Sequence, residues 1–247
     1  MRGLRPLALT TTTVAVLAGC VMPFGEDDTG SGGSSPPSSS DSTTPDAGLE
    51  RAGRRLSTAE AKAALPERPE GFTDDEVPTA KHRRTDPEVC VDLLRLGWHA
   101  RNTEQKRTAE AGVDWSIHGD HKDRYQSYTI DIHSHSEEVG PGLLGRAGAA
   151  LGECEAFSFT GQQSGQSFDE RMLAEGLPVR NIGEQTFAVR LTTFTRIDGK
   201  TERGYVDQLD FRVGHNLVSV RSASYREGRS TQDLEEMAQE VLEKLEE

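Results

Sequence analysis

Two histidines one residue apart, His133-Ser134-His135, are the residues best spaced for chemistry in this 247-residue chain. In an extended segment, side chains two apart share a face, so both imidazoles point the same way and Asp131 points with them. Around them Tyr128, Ile130 and Ile132 alternate with Thr129, Asp131 and His133. Upstream, Ala109, Ala111, Val113, Trp115 and Ile117 alternate with Thr108, Glu110, Gly112, Asp114 and Ser116. Both patterns have the period of a strand with one buried face. The first apolar set is odd-numbered and the second even-numbered. In a hairpin the two apolar faces coincide only when paired residue numbers sum to an odd value, for example 243. Trp115 then meets Tyr128, Val113 meets Ile130, and Glu110 stands opposite His133. A slip by one residue would turn a whole strand inside out. Glu110, Asp131, His133 and His135 therefore converge on the polar face. Two imidazoles and a carboxylate suffice to hold zinc, with water completing the shell. The same residues also read as a solvated His–Glu cross-strand pair or as a pH-sensing pair. What covers that face decides among them.

Other reactive groups are less well placed. His118 and His121 fall at the turn end of the hairpin, well over about 15 Å of ladder from Glu110, and read as exposed turn residues. Gly161-Gln162-Gln163-Ser164-Gly165 lacks the spacing and the strand-to-helix setting of a hydrolase nucleophile. The chain contains no P-loop and no dinucleotide fingerprint. A non-enzymatic protein is expected, with no cofactor unless the histidine strand binds zinc. Trp98 and Trp115 read as core. Lys81-His82-Arg83-Arg84 reads as a solvated basic run, at most a dock for an anionic envelope polymer.

The three cysteines divide by position. Cys20 ends the stretch Leu17-Ala18-Gly19-Cys20, which follows a positive start (Arg2, Arg5) and a short apolar segment over residues 7–18. This is a secretory signal peptide over residues 1–19, and its end resembles the lipobox of bacterial lipoproteins. That resemblance implies cleavage before Cys20 and acylation of it, placing the protein at the extracytoplasmic face of the cell membrane. Each buried CH₂ of an acyl chain contributes about 0.8 kcal/mol, so two or more chains anchor stably. Cys90 and Cys154 remain, and an even pair in an exported domain reads as a disulfide. Two buried free thiols and a catalytic Cys–His pair are the alternatives.

Charge bounds the partners. There are 28 Lys plus Arg against 41 Asp plus Glu, a net charge of −13, and loss of Arg2 and Arg5 with the signal peptide takes it to −15. Nucleic-acid binding requires a basic face and is excluded as a function class. An acidic globule is repelled by anionic headgroups, which favours a spacer. Of the 35 residues from 21 to 55, 20 are Gly, Ser, Pro or Thr, too few apolar groups to offset ordering entropy. As a flexible coil this tether spans roughly 30 Å. Residues 20–55 are thus the acylated cysteine and tether, and 56–247 one globular domain.

The elements that must position the histidines follow from local signals. Ser57-Thr58-Ala59-Glu60 is a capping box for a short helix that Pro66 ends. Residues 66–84 read as loop. Asp86-Pro87 then opens a helix with Val89, Leu93 and Leu96 on one face, Cys90 and Leu94 beside it, and Gly97 as its stop. After the hairpin come a glycine-weakened helix over 141–154 and a short strand over 157–159. Residues 161–184 look irregular, with a helical turn at 168–173. The last third is a meander: strands over 187–191, 205–213 and 217–222, with turns at Asp198-Gly199 and Gly214-His215-Asn216. Ser230 caps a final helix bearing Leu234, Met237, Ala238, Val241 and Leu245. Together these predict an α+β fold: a single twisted antiparallel sheet of about six strands, helices packed on one face, and the C-terminal helix closing the domain.

With the lipobox, the tether, the cysteine pair and the Tyr205–Ser222 stretch YVDQLDFRVGHNLVSVRS before a final helix, the chain resembles actinobacterial envelope lipoproteins that share the PknH-like extracellular sensor domain. The stretches Leu56-Ser57-Thr58-Ala59-Glu60 and Pro69-Glu70-Gly71-Phe72 are similar to theirs, and the resemblance spans about residues 56–246. It implies an antiparallel sheet with helices and a cleft, and binding of a small molecule or envelope component. Two departures stand out. Sensor domains of that family usually hold two disulfides, and only one can form here. The chain also has no kinase domain, so signalling does not carry over. The expected binding surface is a cleft between the sheet and residues 161–184, in a lipid-anchored, non-enzymatic sensor-like domain. The metal-binding lipoprotein built on the histidine strand is the alternative.

Overall fold

The odd–even alternation of the two best-patterned segments sets the register at the heart of the fold. In the computed structural model, which describes residues 47–75, 81–94, 106–118, 125–163, 165–197, 200–226 and 231–247, strands β3 (Arg107–Ile117) and β4 (Gln126–His135) pair antiparallel. Val113 lies opposite Ile130, Trp115 opposite Tyr128 and Glu110 opposite His133, all with numbers summing to 243. A bulge between Arg107 and Ala109 then brings Arg107 opposite His135. Before this hairpin come helices α1 (Ala47–Ala52) and α2 (Thr58–Ala63), strands β1 (Thr73–Asp74) and β2 (Lys81–Asp86), a 3-10 turn (Glu88–Cys90) and helix α3 (Val91–Leu94). After it come α4 (Gly142–Leu151), β5 (Ala156–Gln163), β6 (Gln166–Gly176), β7 (Gln185–Ile197), β8 (Lys200–Val213), β9 (Asn216–Ser224) and α5 (Gln232–Glu246).

Among the described residues all the strands join one antiparallel sheet of nine, in the order β1-β3-β4-β9-β8-β7-β6-β5-β2. This corrects the expected sheet of about six strands. The three additions are the strands whose side chains carry no alternating apolar signal. β1 has two residues. β2 reads KHRRTD and sits at an edge, where only one side needs pairing and charges are tolerated. β6 buries only Met172, and its backbone pairing with β5 and β7 holds it in place. Residues 161–163 and 166–176 are therefore sheet and not a loop lying over it, so the cleft expected there does not exist in that form. Asp86-Pro87 does not open a regular helix: Pro87 caps the 3-10 turn, which leads into the four residues of α3. Leu96, Gly97 and Trp98 lie outside the described residues, as do the Asp198-Gly199 turn and Ser230.

The helices also divide between the two faces, where one face was expected. α1, α2 and α5 cover the face bearing Trp115, Ile130, Leu209, Phe211, Val218 and Val220. α3 and α4 cover the other, over Phe157, Met172, Val189, Leu191 and Leu217. The neighbours Leu217 and Val218 of β9 thus enter different cores, so both faces of the central strands are buried. α5 keeps the expected stripe, burying Leu234, Ala238, Val241, Leu242 and Leu245. Its first turn is tied to the sheet by Tyr128, whose hydroxyl donates to Asp233 at 2.9 Å. The Ser57 capping box forms as read, with Ser57 Oγ accepting from the Glu60 amide. α1 lies within the stretch whose composition marks it as tether; averaging over many Ser and Pro hides AGLERA, and Ala52 is fully buried.

Candidate functional site

The hairpin register delivers the anticipated residues to one face, the α4 side of the sheet. Crossing from β3 to β4 to β9, Glu110, His133 and Leu217 form one row, and Gly112, Asp131 and Ser219 the next. Asp114, Thr129 and Arg221 form a third. Gly112 matters here: a Cβ at that position would stand 2.8 Å from Asp131 Oδ1, so its absence gives the Asp131 carboxylate room. Asp131 forms an ion pair with Arg221, and Glu110 pairs with Arg107 at 2.9 Å. Both carboxylates are thereby engaged by arginines.

His133 and His135 are 8% and 3% exposed. His135 Nδ1 lies 3.3 Å from the His215 carbonyl, and His215 Nδ1 lies 3.1 Å from the His135 carbonyl. A carbonyl only accepts, so each ring carries its proton on Nδ1 in this reciprocal pair. Burial, then the Arg107 and His135 charges, push the His133 pKa down to about 4. Burial likewise lowers His135. His133 is therefore neutral at pH 7. Among the described residues no three His, Cys, Asp or Glu side chains gather at metal-holding distance. Instead a cavity of about 460 Å³ opens beside His133, lined by Lys62, Arg107, Glu110, Gly112 and Asp131. Among the described lining residues, two cations and two carboxylates give it balanced charge, suited to hydrogen-bonding a polar ligand that carries both signs.

A deeper polar layer was not anticipated. Asp210 and Gln208 of β8 lie buried on this same face, next to Ser219 and Arg221 of β9. Gln208 donates to Asp210 at 2.6 Å. Burial pushes the Asp210 pKa up to about 6, against the hydrogen bonds from Gln208 and Ser219. Burial also raises Asp114, which accepts from Thr129 at 2.7 Å. The only signal in the sequence was the alternation of these groups with Leu209 and Phe211, which by itself suggests a solvated face. Arg83 of β2 belongs to the same surroundings: burial, then the Arg221 guanidinium, hold it below the usual arginine range. In a flat sheet β2 and β9 would be about 24 Å apart, so the sheet coils and this face is its concave side.

Among the described residues the remaining groups do not assemble into a catalytic site. Ser116 Oγ lies 3.0 Å from His118 Nε2, but Asp75 approaches the same nitrogen, at 3.9 Å. In a triad the acid orients the base through the other ring nitrogen. Ser116 is also only 1% exposed, on a regular strand. His118 is exposed as expected, while His121 lies outside the described residues, as do Cys20 and Ser164. Trp115 is core. Cys90 and Cys154 are joined by a disulfide, Cα atoms 5.5 Å apart, linking the 3-10 turn to the end of α4.

Fold and site together define a coiled antiparallel-sheet domain with a polar, charge-balanced concave face. No family model matches the chain, and no curated protein does. Among solved structures, the extracellular domain of PknH from Mycobacterium tuberculosis has this fold: the match has a TM-score of 0.52 at 10% identity and covers 78% of this chain and 98% of that one. An uncharacterised protein of Mycobacterium smegmatis, the Rv0999 ortholog, matches with a TM-score of 0.40 at 13% identity over 82% and 99% of the two chains. At such identity the likeness is one of fold. The PknH-like fold implied by the sequence resemblance is the fold found.

Proposed function

We propose that this protein is a lipid-anchored, non-enzymatic envelope lipoprotein whose folded part is a sensor-like domain. It binds a small molecule or envelope component at the extracytoplasmic face of the cell membrane. The observation that carries this reading is the likeness of fold to an extracellular domain over 98% of that domain's length. The Cys90–Cys154 disulfide supports it, since such bonds persist in oxidising compartments. So does the Leu17-Ala18-Gly19-Cys20 stretch, with cleavage and acylation at Cys20 and residues 21–46 as a spacer that keeps an acidic domain off the headgroups. Among the described residues no helix is long and apolar enough to cross a membrane. The cavity of Lys62, Arg107, Glu110 and Asp131 is the binding surface in this reading, and zinc is not required for it.

Two measurements test it. Cys20→Ala should move the protein from the membrane fraction to the medium or stall its processing; unchanged retention and cleavage would refute the anchor. Native mass spectrometry of protein extracted from its own envelope should show an added mass that Arg107→Ala removes. A bare mass in the wild type, or an adduct indifferent to Arg107, would count against the cavity.

A further inference from the structure

Strand β2 carries one residue more than its partner β5 over the same stretch. Lys81 lies opposite Gln162 and Arg84 opposite Thr160, so three steps along β2 meet two along β5. Such bulges re-aim side chains and recur next to functional sites. Arg83 sits within this one. Its Nε is buried and has no hydrogen-bond partner, and among the described residues Arg83 forms no ion pair. Besides burial, the group that acts on its charge is the Arg221 guanidinium of β9.

Arg221 is the second half of the arrangement. Its Nη2 donates to Asp131, while its Nε is buried without an acceptor. Two guanidiniums thus lie within electrostatic reach of each other, each with a buried N–H unanswered. Buried donors are paired as a rule, and leaving one unpaired costs stability. Like charges brought together add to that cost. An anion that accepts from the guanidinium relieves both. The arginine fork presents parallel N–H groups that match the oxygens of a carboxylate or a phosphate.

Space is available beside Arg83. A recess of about 390 Å³ opens there, and among the described residues Arg84, Thr85, Glu88 and Val91 also line it. A cavity near ~150 Å³ holds benzene, so the recess admits more than a bare ion. The Thr85 hydroxyl donates to the Glu88 carbonyl at 3.0 Å. The Glu88 side chain is exposed and leaves the Arg83 Nε without an acceptor. What marks the place is a buried donor that nothing accepts from, whatever the sum of the charges around the recess.

We propose that Arg83 holds an oxyanion, with a carboxylate or phosphate group of a bound molecule accepting from its guanidinium and Arg221 supplying a second positive charge nearby. No described lining residue is common to this recess and the His133 cavity, so the site stands whether or not that cavity binds anything.

Calorimetric titration of the full-length protein in non-ionic detergent tests it, with sodium phosphate and sodium acetate as probes and chloride adjusted to hold ionic strength constant. At least one of the two anions should bind saturably. Tighter phosphate would assign a phosphoryl group to the site, and tighter acetate a carboxylate. Arg83→Gln should weaken binding roughly tenfold or more. Arg83→Lys keeps the charge and the aliphatic stem but loses the planar fork, and should weaken binding several-fold. It remains informative if the glutamine variant folds poorly, and the melting temperature verifies the fold of each. Arg84→Gln, at an exposed position, should have less effect than Arg83→Gln. Saturation by neither anion would overturn the proposal. So would an affinity indifferent to both Arg83 variants, or one that depends more on Arg84 than on Arg83.

Discussion

His133 and Asp210 share the concave face and titrate in opposite senses. His133 is held near pKa 4, below the ordinary 6.5, so the folded protein binds fewer protons than the unfolded chain. Its contribution is complete above about pH 6.5 and is lost as pH falls toward 4. Asp210 is held near 6, above the ordinary 3.8, so folding favours its protonated form. That contribution is complete below about pH 3.8 and is lost as pH rises through 6. At neutral pH Asp210 is thus an ionised, buried carboxylate working against stability. Asp210→Asn should raise stability at pH 7.5 by up to roughly 3 kcal/mol, with a gain that shrinks toward pH 4.5. Urea unfolding across that range measures it; a gain independent of pH would contradict the assignment. His133→Gln should move the onset of acid destabilisation to lower pH, read from the same curves.

At the scale of elements, the β8–β9 turn is the clamp that seats α1. Gly214 has φ +51, and a Cβ there would come within 2.4 Å of the Gly53 carbonyl. The His215 amide donates to that carbonyl at 2.8 Å. Asn216 is fully buried and donates to the carbonyls of Ala52 and Arg54 at 2.6 and 2.9 Å. Asn216→Leu would leave both carbonyls unpaired, at a cost of about 2 kcal/mol. Because α1 meets the rest of the domain at this turn and along α5, its amides should exchange faster in that variant while those of β3 and β4 keep their protection. Uniform loss of protection would show instead that α1 folds with the sheet as one unit. The same turn binds His135 to His215, so the inner end of the histidine strand is fixed from the element above it.

At the scale of the molecule, the disulfide closes a span of 64 residues that takes in β3, β4 and α4. On the chain-entropy model a loop of that length removes about 4 kcal/mol of unfolded-state freedom. Reduction should lower the free energy of unfolding by about that amount, read by chemical unfolding with and without reductant. A change below 1 kcal/mol would mean that the reduced unfolded chain stays compact. The link ties the edge strand β2, through its 3-10 turn, to the helix on the concave side. It therefore stabilises the pairing of β2 with β5, strands far apart in sequence.

The β3–β4 register was legible down to Glu110 opposite His133, because five alternating apolar residues facing three leave one parity that buries them together. The capping box and the stripe of α5 were legible for the same reason: their periods are local. β2 and β6 were not, since KHRRTD and QSFDERMLAEG present hardly any apolar period and are held by the backbone pairing of their neighbours. The second core was hidden as well. Alternating polar residues such as Gln208, Asp210 and His133 mark a solvated face in any local reading, and only the tertiary arrangement buries them. The pairing of Asp131 with Arg221, which brings together residues 90 positions apart, depends on the register of β9 beside β4. Short-range periodicity thus determined the strands, the caps and the histidine face. Long-range pairing and curvature, which no short window contains, decided what that face touches.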